Sequence, residues 1–592
     1  MTDHIAISKA SYSDRGASTS ETAVAPSRKA TGSHYTPEGL ADFVAEQIYG
    51  ARDEKQSGNT TKILDPAVGD GELLRSILKV AKQNHHTNLQ VFGFETTCEA
   101  LDAAKQRLQR EFPCAAITLT HGDFLEFVLQ NYGASPNGGL FQQLSQPEFD
   151  LIIANPPYVR TQVMGAKQAQ RLAQEFGLSG RVDLYYAFIL GMGRALRPGG
   201  IAGIIVSNRF MTTKSGHDVR LSILDNFDVL HVWDLGDTRL FEAAVLPAVL
   251  LLRKKTEGLL PPGPRFTSIY STQRTNSSTA CEDCVSALSK TGVVRLRDGQ
   301  SFLVRRGRLD CGLKPGEVWR IATEDSDAWL SKVAANTSGT FRDIGRTRVG
   351  VKTTADHVFI RSDWEDMPES ERPELLKPLA THHIARRFRA VCPERPKQIV
   401  YPHHTVDGKR SAVNLGEFPQ TARYLNSFRP LLERRRYVAE AGRAWFEIWV
   451  PQDPDSWSKP KIVFRDIAQT PTFWMDLQGC VVNGDCYWLA CERPEQIDLL
   501  WLALAVANST FVEAYYDHRF HNKLYAGRRR FMTQYVEKFP LPNPSNALAR
   551  KIIVAAKQIY DLTPSPEAEH LEQELDKMVW QAFDVSPEEV VR

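Results

Sequence analysis

From residue 34 to about 255 the chain alternates short apolar runs with longer stretches whose apolar positions recur every three or four residues. The runs are KILD (62–65), LQVFGFE (89–95), ITLTHGD (117–123), DLIIAN (150–155), IAGIIVSN (201–208), VLHVWDL (229–235) and LPAVLLLRK (246–254). Their lengths and their enrichment in branched residues predict strands. Between the first two runs, Leu73, Leu74, Ile77, Leu78 and Ala81 fall on one face of a helix, and CEALDAAKQRLQREF repeats the pattern before the third. Strand, helix, strand predicts an α/β domain with a mostly parallel sheet covered on both faces. The last two runs lie too close for a full helix between them, which predicts an antiparallel hairpin at the sheet edge. In such sheets ligands bind beyond the carboxyl ends of the strands. The residues that follow each run are therefore where chemistry is expected.

The pattern changes on either side. Residues 1–33, as in STSETAVAPSRKATGS, hold too little apolar surface to offset their ordering entropy, so a disordered tail is expected. Pro, Gly and Ser crowd LLPPGPRFTS through TQRTNSSTACEDC, predicting a linker or irregular segment over 256–315. Residues 316–545 are less regular and richer in Trp, Tyr and Arg, and 546–592 read as helices with a start signal at Ser565-Pro566. The strongest apolar run, LWLALAVA (500–507), is far short of a membrane span and reads as a buried helix. No basic start followed by an apolar core marks a secretory signal, so no membrane association is expected.

Composition narrows the class. A chain of 592 residues with 42% hydrophobic and 24% charged residues suggests a soluble protein of two or three domains. A formal charge of +2 gives no global attraction to nucleic acid, so any such attraction must be local. Nine scattered cysteines fit a reducing, cytoplasmic compartment. The lone CEDC (281–284) lacks a second ligand pair, and no metal is expected.

The strand ends carry a consistent inventory. DPAVGDGELL follows the first strand, where Gly69 and Gly71 allow a tight turn into a helix. No Gly-Lys-Ser/Thr is present, and Asp65 and Asp70 suit a cationic group such as an ammonium or a sulfonium. Glu95 ends the second strand, where an acidic residue accepts from a ribose diol. Asp123 ends the third and can accept from an adenine amine, with the Phe124 ring beside it. Nucleoside joined to amino acid is the inventory of S-adenosylmethionine.

The series HYTPEGLADFV, ILDPAVGDGELL, VFGFE, GDF, IIANPPYV and LRPGGIAGIIVSN resembles the adenine-specific DNA methyltransferases of restriction-modification systems, TaqI-type gamma class. The resemblance covers residues 34–255 by motif; beyond them it rests on EKFPLPNP (537–544) and LDKMVWQAFDVSPEE. It implies a class I S-adenosylmethionine-dependent methyltransferase domain with a Rossmann-like seven-stranded sheet, then a mixed α+β target recognition domain over 316–545. Cofactor positions carry over onto Thr36, Asp65, Pro66, Ala67, Glu95, Asp123 and Pro157, beside Gly69 and Phe124 from the reading above. Thr96 departs from the aliphatic residue usual there. The resemblance also implies a prokaryotic, monomeric enzyme acting on double-stranded DNA, with a restriction endonuclease as a separate partner.

Asn155, Pro156, Pro157 and Tyr158 then acquire a chemical role. The adenine N6 lone pair is delocalised into the ring. Acceptors at the Asn155 side chain and the Pro156 carbonyl would let it localise toward a methyl donor, an electrostatic preorganisation. Tyr158 would stack on the extruded base, and Phe241 in DTRLFEAAVLP matches the family position for a second ring. Arg160–Arg181 reads as a mobile loop near DNA; Asp183 and Tyr186 fit a pocket wall or an ordinary helix start. The Arg runs RRFR (386–389), ERRR (433–436) and AGRRRF (526–531), with neighbouring aromatics, suggest phosphate contacts. Alternatives are methyl transfer to RNA or to a protein glutamine amide, and a catalytically silent DNA-specificity protein.

Overall fold

The computed structural model describes residues 35–53, 60–132, 146–158, 166–178, 183–241, 246–258, 263–272, 279–312, 314–520 and 528–590, with the side chains of 166–169 undescribed; the tail expected over 1–33 lies outside these. The seven apolar runs are strands: β1 (Thr61–Asp65), β2 (Leu89–Glu95), β3 (Ala116–His121), β4 (Phe149–Ala154), β5 (Leu196–Ser207), β6 (Phe227–Asp234) and β7 (Pro247–Lys254). They are ordered β3-β2-β1-β4-β5-β7-β6. β1 to β5 run parallel, and β7 is antiparallel to β5 and β6. This is the Rossmann-like class I methyltransferase sheet that the resemblance implies.

All six residues of β4 are buried, as expected of a strand covered on both faces. Leu151 and Ile153 enter the layer under helices Glu38–Ala51 and Glu72–Gln83. Ile152 and Ala154 enter the opposite layer, under Phe124–Tyr132 and Leu184–Ala195. From β1 the chain winds outward one way through β2 and β3, and the other way through β4 and β5. The reversal between β1 and β4 opens a crevice at their carboxyl ends, the place where such folds hold ligands.

Two expectations are corrected. β6 and β7 pair antiparallel but not at an edge, because β8 (Arg265–Ser271), β9 (Thr279–Cys281), β10 (Gly292–Leu296) and β11 (Ser301–Asp310) continue the sheet beyond β6 in the order β8-β11-β10-β9. The passage 256–315 is thus not an irregular linker; it widens the sheet, and β12 (Arg320–Ala322) pairs with β11. Phe266, Ile269, Val294, Phe302 and Val304 are among its buried apolar residues. Pro, Gly and Ser around each short strand hide their alternation.

The C-terminal half is mixed α+β. A five-stranded sheet (Thr347–Val349, Cys486–Ala490, Lys461–Arg465, Phe473–Asp476, Phe388–Arg389) shares one core with helices Ile497–Ala507, Thr510–Phe520, Ala547–Leu562 and Pro566–Ala582. Leu500–Ala507 is wholly buried in its helix. Ser565 caps the last long helix by accepting from the Ala568 N–H at 3.2 Å, with Pro566 in the first turn. The two halves meet where the Tyr535 hydroxyl and the Gln534 amide both donate to the Thr212 carbonyl.

Candidate active site

The carboxyl ends of β1 to β4 converge on one cavity of about 260 Å³. Pro66, Ala67 and Gly69 line it after β1, Glu95 and Thr96 at the end of β2, Asp123 and Phe124 after β3, and Asn155 and Pro157 after β4. Gly69 (φ 55°) and Gly71 (φ 83°) occupy the left-handed region, which glycine enters without strain. That turn delivers the chain into helix Glu72–Gln83.

Glu95 ties the first two strand ends together: Oε2 accepts from the Gly69 N–H at 3.0 Å, and Oε1 from the Thr97 N–H at 2.8 Å. The Thr96 hydroxyl also donates to Oε1, at 3.4 Å, so this departure from the family pattern places a polar group on the cavity wall. Asp123 uses Oδ1 to cap helix Phe124–Tyr132, accepting from the Leu125 N–H at 2.7 Å. Phe124 is buried behind it between Phe94 and Phe188, at centroid distances of 5.9 and 5.7 Å.

Asp65 is fully buried just behind the lining. Its Oδ1 accepts from the Ala67 N–H at 3.0 Å, while Oδ2 has no hydrogen-bond partner among the described residues. Burial, with smaller contributions from Glu95 and Asp70, pushes its carboxyl up to about 7. A buried carboxylate oxygen without a donor, beside two further acids, is a site short of positive charge.

Asn155 stands at the mouth of β4, half-buried, and both ends of its amide are engaged. Nδ2 donates to Thr36 Oγ1 at 3.1 Å, and Oδ1 accepts from the Tyr158 hydroxyl at 3.0 Å. Thr36 thus reaches the site through Asn155 and is not on the cavity lining. Burial raises the Tyr158 phenol far above its ordinary range, so it stays a protonated donor. Its ring meets Tyr185 edge-on at 6.0 Å, and Tyr185 meets the buried Tyr186 at 4.6 Å. Pro156 is buried and turns the chain without donating to the sheet.

Other expected residues are placed differently. Phe241 is 8% exposed and packs in the layer with Leu235 and Ile269, on the face opposite the one that holds Tyr185. It does not line the cavity; residues 242–245, which complete its loop, lie outside the described set. Residues 166–176, expected within a mobile loop, form a helix whose Arg171 and Leu172 line the cavity, with Arg171 paired to Glu126 at 2.9 Å. Tyr35, Leu184 and Phe188 also line it and were missed. The i, i+4 spacing of Leu184 and Phe188 could have revealed the last two.

Much of the arginine inventory is committed internally. Arg529 and Arg530 form bidentate pairs with Asp517 and Asp466 at 2.8 and 3.0 Å. Arg387 pairs with Glu572 at 2.8 Å, and buried Arg435 donates to the Thr353 carbonyl at 2.9 Å. Arg434 and Arg436 remain exposed on either side of it.

Two family models match this chain: the Eco57I restriction-modification methylase over residues 78–241, and the TaqI-like C-terminal specificity domain over 417–541. The type II methyltransferase M.BanIII of Aneurinibacillus aneurinilyticus is 38% identical over 572 residues, spanning 94% of this chain and 98% of its own length. M.BstVI of Geobacillus stearothermophilus is 23% identical, over 87% of this chain and 90% of that protein. A release factor glutamine methyltransferase of Geobacter sulfurreducens is similar over 152 residues at 29% identity, covering 25% of this chain and 45% of that protein.

Proposed function

The chain belongs to the DNA methyltransferases of type II restriction-modification systems, and within that family we propose that it methylates N6 of an adenine swung out of duplex DNA, using S-adenosylmethionine. The observation that carries the reading is the convergence of Glu95, Asp123 and Asn155 on one cavity, backed by a buried carboxylate lacking a donor.

S-adenosylmethionine, when bound, supplies an electrophilic methyl group on a sulfonium. Asp65, Glu95 and Asp123 match its three polar ends: a cationic amino acid, a ribose diol and an adenine amine. Pro66, Ala67, Gly69, Phe124 and Pro157 provide the apolar and backbone walls.

Asn155 and Pro156 act on the other substrate. Each offers a carbonyl oxygen to one hydrogen of the adenine amine, drawing the lone pair out of conjugation. As the new N–C bond formed and the methyl–sulfur bond broke, its electron pair leaving on a neutral thioether, positive charge would grow on N6 and these oxygens would meet it without reorganising. The surplus proton leaves to solvent. Thr36 holds the Nδ2 end of the Asn155 amide while Oδ1 faces Tyr158. The Tyr158 hydroxyl supplies the same kind of hydrogen as an aromatic amine, so an incoming adenine would replace it on Oδ1. The Tyr158 ring then offers a face to the base and to its developing charge.

The glutamine-amide alternative rests on similarity over a quarter of the chain, whereas the C-terminal specificity-domain match favours DNA. The test is transfer of labelled methyl groups from S-adenosylmethionine to duplex DNA, followed by nucleoside analysis. N6-methyladenine is expected. N4-methylcytosine, or label in protein only, would refute the assignment.

A further inference from the structure

Residues 403–412 stand apart from the other sheets of the C-terminal half. His403–Val406 and Lys409–Ala412 pair antiparallel with each other and with no other strand among the described residues. Asp407 (φ 49°) and Gly408 (φ 70°) make the tight two-residue turn that matches strand twist. A side chain added at Gly408 would meet nothing within 4 Å, so the tip stands in open space. His404, Val406, Asp407, Lys409, Arg410 and Ser411 are all exposed.

The base of this ribbon is anchored. His403 is buried, its Nε2 accepts from the Ile448 N–H at 3.1 Å, and burial pushes its imidazole down to about 3, so it remains a neutral acceptor. Tyr401, just before it, donates its hydroxyl to the Pro451 carbonyl at 2.7 Å. The anchoring segment continues into a cationic and aromatic surface. Trp449 meets Tyr437 at 4.9 Å and carries Arg443 over its ring at 5.1 Å. Tyr437 is 39% exposed.

We propose that the hairpin His403–Ala412 enters the major groove of duplex DNA and reads base edges there. The proposal rests on the DNA methyltransferase reading above, and adds which element contacts the substrate. Four paired positions make a ribbon roughly 10–14 Å long. The major groove, roughly 12 Å wide, admits a two-stranded ribbon, whereas the minor groove, roughly 6 Å wide, does not. The tip is chemically diverse in the way base readout needs. Lys409, directly across from Val406, is a donor suited to guanine O6 and N7. So is Arg410, whose Nη1 makes a 3.5 Å contact to the Gln452 carbonyl and leaves its other donors for a base. Asp407 is an acceptor suited to a cytosine amine, and Val406 is an apolar contact suited to a thymine methyl. Val406 is 47% exposed on an otherwise polar ribbon. The hairpin also lies just ahead of the specificity-domain match at 417–541.

The test uses the full chain and the double variant Lys409→Ala/Arg410→Ala, both positions being exposed. Wild type and variant are expressed in a methylation-free host and modified bases are mapped by single-molecule sequencing, with thermal melting and S-adenosylmethionine binding measured on the purified proteins. The expected result is unchanged melting and cofactor affinity, with a motif that loses discrimination at one or two base pairs. On the wild-type site, kcat/KM should fall about 10- to 100-fold. Val406→Ala should relax a single A·T position. An unchanged motif overturns the proposal, whether methylation stays at full strength or falls equally on all sequences, the latter marking phosphate contact alone. If the wild type leaves DNA unmethylated, the methyltransferase reading fails instead.

Discussion

Asp65→Asn separates the electrostatic logic of the cavity from its shape. In the folded chain burial pushes the Asp65 carboxyl from 3.8 to about 7. Below pH 4 the carboxyl is protonated in both folded and unfolded chains and contributes nothing. Between about pH 4 and 7 the unfolded chain releases the proton while the folded chain keeps it, so stability falls as pH rises, levelling off above 7. At about 1.36 kcal/mol per pH unit, the full penalty by pH 8 is about 4 kcal/mol, some 2–3 kcal/mol of it arising between pH 5 and 8. Asparagine keeps the shape and removes the charge. Urea unfolding of the ligand-free proteins should therefore show the variant gaining on wild type by about 2–3 kcal/mol across that interval, other titrations cancelling in the difference. The variant should bind S-adenosylmethionine more weakly, and wild-type affinity should rise with pH up to about 7 as the carboxylate forms to meet the cation. A stability difference that stays constant from pH 5 to 8 would refute the argument, because Asp65 would then be ionising as an ordinary surface acid.

Two further predictions address the amide at the mouth of β4. Asn155→Ala should keep cofactor affinity within about twofold and lower kcat about 100- to 1000-fold, the loss typical of removing one preorganised polar contact; near-normal single-turnover methylation would remove Asn155 from the mechanism. Thr36→Val should lower kcat about 3- to 10-fold by leaving Asn155 Nδ2 without that acceptor, and Thr36→Ser should restore it. If Thr36→Val instead weakens cofactor binding with kcat intact, Thr36 serves the cofactor directly.

The first half of the fold was legible because the central strands β1, β4 and β5 are largely buried on both faces and read as apolar runs, while β2 and the exposed β3 keep alternating apolar positions. The strand ends were legible for the same reason: once β1 to β4 are aligned, Pro66, Glu95, Asp123 and Asn155 must lie at one edge. What the linear pattern could not show was the widening of the sheet by β8 to β11. β8 buries Thr267 and Ser268 between Phe266 and Ile269, β10 and β11 alternate buried apolar with less buried positions, and all sit among Pro, Gly and Ser, so composition argued for a loop. Thr36 was visible as a motif position, yet its bond to Asn155 spans 119 residues and depends on how helix Glu38–Ala51 packs.

The arginines show a different limit. Counting cations along the chain selects RRFR, ERRR and AGRRRF, but a guanidinium that already holds two carboxylate oxygens has little left to offer a phosphate. Moving Arg529 from Asp517 to DNA would break a bidentate ion pair whose two side chains are largely shielded from water, a loss that one phosphate contact does not return. Lys409 and Arg410 form no run and escape such a count, yet they sit on an exposed turn held by a buried histidine. Affinity for a polyanion follows the cations whose partners are water, because only these exchange solvent and counterions for phosphate or base without first breaking the fold. Local charge density in sequence therefore overstates the DNA-binding surface where acids pair with the run, and understates it where a short ribbon exposes Lys409 together with Arg410, whose guanidinium makes a 3.5 Å bond from Nη1 to the Gln452 carbonyl.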